Sequence, residues 1–187
     1  LSAFDVMKKN FITTKVADSQ SDTIFKLKGE NSQERIRETV SMTKLADNKG
    51  NNMRVITFNS PSDVKGTKTL LVEKSPEDDD IWIYLPALKK VRRIVASNKK
   101  DSFMGTDLSF GDIIGYRLND WNHKILKEED KVDGKSCFVI ESLPKNSEVS
   151  ENSGYSKRIG WFDKESFVLV KGEVYDLSKQ LLKKIYG

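Results

Sequence analysis

Few side chains in this sequence are of types that do covalent or metal chemistry. His123 is the sole histidine and Cys137 the sole cysteine of 187 residues. A Ser-His-Asp or Cys-His site would have to use His123, which stands in Asn-His-Lys without a supporting motif. It reads instead as a partly exposed strand residue. Cys137 alternates with Val139 and reads as a small core residue. A single cysteine excludes an internal disulfide and a cysteine-built zinc site, which leaves carboxylates as metal donors. Glu77-Asp78-Asp79-Asp80 sets acids side by side, without the spaced oxygen ligands and glycine of an EF-hand loop. That run reads as a solvated loop. Asp107 and Asp112 fit a helix cap and a first-turn acid equally well. Neither G-x-G-x-x-G nor G-x-x-x-x-G-K occurs. The expectation is no catalytic residue, no metal and no cofactor.

The elements that would position any site are mostly strands. Ile81-Trp82-Ile83-Tyr84-Leu85 is apolar at every position, as in a strand buried on both faces. Pro86 has no N–H to donate and ends it. Val91, Ile94 and Val95 among Lys89, Lys90, Arg92 and Arg93 mark a second strand. Gly105 follows Phe103 and Met104 at a point where the backbone needs glycine's freedom, and Asp107 is placed to cap a short helix over 108–114. Ser2 and Asp5 have capping-box spacing for a helix over 2–11 with Phe4, Met7 and Phe11 on one face.

Strands are expected at 23–28, at 35–43 (with Ile36, Val40 and Met42 inward), and at 53–59, 68–73, 116–127, 136–143, 155–163, 167–176 and 180–186. Asn48-Lys49-Gly50 and Val132-Asp133-Gly134-Lys135 read as turns, and 144–154 as a mobile polar loop. So many strands joined by short turns predict one domain over 1–187, mainly β, with a large antiparallel sheet and a few short helices.

Apolar residues make up 37% and charged residues 32%, and no apolar run approaches the ~20 residues of a membrane helix. The net charge of +4 permits contact with anionic lipid or nucleic acid and argues for neither.

The pattern W-x-Y-L-P-A-L-K-K-V-R-R-I from Trp82, then S-F-M-G-T-D and D-L-S-F-G-D-I, resembles the outer-membrane lipoprotein-sorting protein family of the LolA-like superfamily of bacterial periplasmic carriers. F-N-S-P-S-D-V-K-G-T, from Phe58 to Thr67, is similar to the stretch just upstream in that family. The resemblance implies a strongly curved antiparallel sheet, an open half-barrel, with helices closing the mouth over an apolar cavity. It implies a monomeric, non-enzymatic periplasmic carrier whose signal peptide has been removed. The cargo would be lipid or lipoprotein acyl chains, moved from an inner-membrane exporter to an outer-membrane acceptor, with no nucleic acid involved. The family usually continues several strands past the position of Gly187, so this is a short member or its C-terminal strands lie outside the sequence.

On such a sheet, Trp82, Tyr84, Phe103, Met104, Phe110, Trp121, Phe138 and Trp161 are the candidate cavity lining. Trp82 and Tyr84 share one strand face and Ile81, Ile83 and Leu85 the other, and either could be inward. Lys89, Lys90, Arg92 and Arg93 would steer an anionic head group or partner, or protect an edge strand against stray pairing. The alternative function on the same fold is a sensor or protein-interaction module.

Overall fold

The structure, a computed structural model, describes residues 1–28, 34–48, 50–74 and 77–187. Lys49, in the expected turn after Asn48, lies outside the described residues. The chain forms two compact units, Val16–Ile114 and a second one built from Leu1–Lys15 with Gly115–Gly187. Each holds one antiparallel sheet, so the fold is mainly β, and the single large sheet expected from sequence is divided into six and five strands.

The first unit runs β1 (Asp18–Leu27), β2 (Arg35–Leu45), β3 (Asn52–Ser60), β4 (Lys68–Val72), β5 (Asp80–Leu85) and β6 (Lys90–Ile94), paired in sequence order. Pro86 opens a one-turn 3-10 helix after β5, as its fixed φ and missing donor favour. The register puts Ile56 and Phe58 of β3, Leu71 of β4, and Ile81 and Ile83 of β5 on one face, where all are buried. Trp82 is half-buried and Tyr84 36% exposed, so β5 is buried on one face and not on both.

Strand β2 reverses the inward face expected from its apolar residues. Thr39 and Thr43 are buried, while Ile36 and Met42 are 45% and 57% exposed. Pairing decides this, because Thr39 lies opposite Phe58 and Ser41 opposite Ile56. The buried hydroxyls have partners, Thr39 donating to the Thr23 carbonyl at 3.4 Å and Thr43 accepting from Arg54 Nε at 3.2 Å.

The second unit carries α1 (Ala3–Thr13), β7 (Trp121–Val132), β8 (Lys135–Pro144), β9 (Tyr155–Asp163), β10 (Leu169–Asp176) and β11 (Leu181–Tyr186), the strands forming a meander. Ser2 and Asp5 form the capping box of α1. The helix buries Ala3, Val6 and Met7 against Ile140 and Phe162, leaving Phe4 and Phe11 more than a third exposed, contrary to the expected face. Asn10 fixes the helix rotation by donating to the Phe167 carbonyl at 2.8 Å. Asp133 and Gly134, both at positive φ, make the β7–β8 turn. A 3-10 turn, Leu118–Asp120, delays β7 beyond its expected start.

The segment read as a mobile loop contains a helix, Ser147–Ser153. Asn146 caps its start by accepting from the Val149 N–H at 2.9 Å, and Gly154 ends it at φ +75°. Val149 is its one apolar residue, so no apolar period marks the helix and only the two caps reveal it.

Candidate functional site

Among the described residues of its own unit, no long helix covers the buried face of the six-stranded sheet. A segment from Val95 to Ile114 covers it and holds itself together mainly by backbone bonds. Phe103 N–H donates to the Leu108 carbonyl at 2.7 Å, and Gly111 N–H to the Lys99 carbonyl at 2.8 Å. Thr106 Oγ1 donates to the Phe103 carbonyl at 2.8 Å. Met104 (φ +51°) and Gly105 (φ +73°) turn the chain so that Phe103 points inward.

The short helix at the end of this segment is α2, Phe110–Ile114. Ser109 caps it, its hydroxyl accepting from Asp112 N–H at 3.1 Å and its own N–H donating to the Asp112 carboxylate at 2.9 Å. This replaces the cap expected from Asp107. Serine with an acid three residues on is the better match to a capping box.

Phe103 is fully buried, 5.8 Å from the Phe58 ring and 5.5 Å edge-on from Phe110. The segment is held at its middle and its C-terminal end by arginines of the sheet. Arg37 of β2 donates to the Met104 carbonyl, and Arg54 of β3 donates to the Ile113 carbonyl at 2.9 Å. Beside α2, Asn52, Arg54, Leu71, Glu73, Ile113 and Ile114 line a crevice with a cavity volume of about 10 Å3. That is below the ~300–1,000 Å3 of a usual ligand pocket. The space over the apolar face is thus occupied by the chain's own Phe103 and Phe110.

Of the eight aromatic and methionine candidates, Phe103, Met104 and Phe110 come together on this face. Trp82 and Tyr84 lie on its opposite side. Trp121 and Phe138 lie on the α1 side of the five-stranded sheet, in different clusters. Trp161 is on the other side, with Lys171 Nζ 4.0 Å from its ring centre and Nε1 donating to Asp130 at 3.1 Å. Lys89, Lys90, Arg92 and Arg93 are exposed on and beside β6, an edge strand, and Arg93 reaches the buried Asp80 carboxylate. Lys74 and then Arg93 hold that carboxyl below its usual range.

His123 is held by two bonds, Nδ1 to Ser142 Oγ at 2.8 Å and Nε2 to the Leu118 carbonyl at 3.1 Å. A carbonyl only accepts, so Nε2 carries the proton and Nδ1 accepts from Ser142. Burial pushes the imidazole down. Ser142 is 3% exposed, closed to a substrate. Burial, aided by Asp163, pushes the Cys137 thiol up. Among the described residues no group of three or more acids, histidines or cysteines is placed to hold a metal.

Arg37 and Arg54 were not legible as site residues from composition. The available signal was Arg54 itself, a charge at the parity of Ile56 and Phe58.

A family profile described as "Uncharacterized protein" matches residues 50–187. The chain belongs to that family. The family match spans β3 to β11, most of both sheets, and includes the whole covering segment. The fold is LolA-like, as the motifs implied. A DUF1329 family protein from Desulfovibrio piger is 29% identical, with a TM-score of 0.85 over 98% of this chain and 76% of the other. A domain assigned as an outer membrane lipoprotein-sorting protein, from Vibrio parahaemolyticus, is also 29% identical, with a TM-score of 0.82 over 96% and 74%. A LolA superfamily protein from Nitrosomonas europaea shares the fold at 17% identity, with a TM-score of 0.68 over 97% and 74%. No curated protein matches the chain.

Proposed function

We propose that this protein is a non-enzymatic carrier that shelters lipid or lipoprotein acyl chains on the covered face of its six-stranded sheet, in the periplasm, on the way to the outer membrane. The observation that carries the reading is the covering segment. A buried apolar sheet face is closed by about twenty residues that hydrogen-bond chiefly to themselves and meet the sheet through Phe103, Phe110 and two arginine–carbonyl bonds. Displacing Phe103 and Phe110 opens a groove floored by Phe58, Leu71, Ile81 and Ile83. An acyl chain replacing those rings recovers burial at about 25 cal/mol per Å2. The exchange is close to neutral, as a carrier that must also release its cargo needs. The likeness to a lipoprotein-sorting domain supports the same cargo class.

Protein isolated without detergent from cells should carry acyl lipid extractable into organic solvent, and delipidated protein should bind a fluorescent fatty acid. Ile83→Gln, on the covered face, should weaken that binding in its folded fraction, and Trp82→Gln, on the open face, should not. Protein that carries no lipid and binds no fatty acid ends the proposal. So would equal binding by Ile83→Gln and the parent.

A further inference from the structure

The other face of the six-stranded sheet is apolar as well, and among the described residues Asp80 is the one buried residue on it. The register lays Met42, Val55, Leu70 and Trp82 side by side across four strands, with Tyr84 and Val91 in the next row. Met42 is 57%, Tyr84 36% and Val91 63% exposed. Strands sit ~4.8 Å apart, so β2 to β6 make a surface about 20 Å across, wider than the ~10 Å of one bound helix.

The charge on this face is one-sided. Over β3 to β6 its charged residues are Lys68, Arg93 and Asp80, and Asp80 is buried and bound by both Lys74 and Arg93. Lys89, exposed, follows in the turn beside Tyr84 and Val91, whereas Lys90, opposite Leu85, takes the parity of the covered face. The acids Asp18, Asp22 and Glu38 fall on β1 and the early part of β2.

We propose that this open face docks on a bilayer containing anionic lipid. Trp82 and Tyr84 have the apolar body and polar tip that favour the head-group layer. Met42, Leu70 and Val91 supply apolar side chains to the layer beneath, and Lys68 and Lys89 meet the anionic head groups. Long lysine side chains can reach those groups while their stems stay on apolar surface. The docking does not rest on the acyl-chain reading, because the two use opposite faces of the sheet.

The test is sedimentation of the full chain with vesicles of phosphatidylglycerol and phosphatidylcholine in equal amounts, against phosphatidylcholine alone. Binding is expected with the anionic vesicles and should weaken as salt screens it. Each cation near such a surface strengthens binding roughly fivefold, so Lys68→Glu/Lys89→Glu should lose roughly 25-fold or more. Lys124→Glu/Lys131→Glu, on the five-stranded sheet, should bind as the parent does. With Cys137 fully buried, an environment-sensitive dye on Met42→Cys reports from the face itself and should shift to the blue on anionic vesicles. Circular dichroism checks that each variant is folded. Absence of anionic-vesicle binding, undiminished binding by the folded double variant, or an unshifted dye overturns the proposal. Saturable binding of polyglutamate with no vesicle binding also overturns it, in favour of an acidic protein partner.

Discussion

Thr69 is fully buried on the covered face, opposite Ile83 and Ile56, and its hydroxyl has no hydrogen-bond partner. Such a group carries a desolvation penalty of about 1–3 kcal/mol. Thr69→Val removes it at nearly constant shape and should raise the unfolding free energy by about 1 kcal/mol in a denaturant titration. A loss of stability would mean that the hydroxyl has a partner after all. His123 gives a pH test. Burial lowers its pKa from the ordinary 6.5, so the folded chain takes up the proton less readily than the unfolded one. The stability tied to the neutral ring is complete above about pH 6.5 and falls as pH drops below that toward the folded value. No other histidine titrates in that window. The denaturant midpoint should therefore decline from pH 7.5 to 5.0, and a flat profile would contradict the neutral ring. Neither bond of His123 could be read from Asn-His-Lys, because Ser142 and Leu118 reach it only through β7–β8 pairing and the 3-10 turn.

At the scale of elements, the covering segment depends on Arg37 and Arg54. Arg37→Ala/Arg54→Ala leaves the Phe103 and Phe110 contacts in place but frees both carbonyl anchors. Amide exchange in 103–114 should quicken relative to β3 and β4, and a fluorescent fatty acid should associate faster. Unchanged exchange would show that the rings alone hold the segment. In the other unit, a Cβ on Gly160 would lie 2.5 Å from the Phe162 ring. That ring is 3% exposed and packed in the cluster under α1. Gly160→Ala should therefore cost about 1–3 kcal/mol of stability, read from thermal melting. Most strands were legible here. Period two, Asp133-Gly134 and Pro86 state local rules that the tertiary structure keeps. The inward face of β2 was not, since partner register outranked the residues' own polarity. The Phe4 face of α1 failed for a similar reason, since Asn10 and the Phe167 carbonyl set the helix rotation.

At the scale of the whole molecule, the LolA-like fold was legible from two motif blocks, because W-x-Y-L-P and S-F-M-G-T-D record β5 and the covering segment that lies over it. The grouping of the candidate site was not. Five of the eight candidates are on strands, and they say nothing of which face or which sheet they join until the pairing is known. The division into two units also lies outside what strand spacing reports, since a long connection such as 95–120 can return to the same sheet or start another. Val6 is fully buried between the N-terminal helix and the second sheet. Val6→Asp puts an unpaired charge there, and hydrogen exchange should rise in β7–β10 more than in β1–β6. Equal acceleration throughout would contradict the separation of the two cores.

That helix also imposes a timetable. Ala3, Val6 and Met7 leave the ribosome before the six-stranded sheet, and the strands that cover them leave after it. At ~5–20 residues per second the interval is on the order of 10 s. During it the greasy side of α1 has no home within the nascent chain. A holdase, or passage through a translocation channel while still unfolded, would keep those side chains from sticking elsewhere. Newly made protein should consequently be more prone to aggregate than purified protein refolded from full length, where both ends of the chain are present from the start.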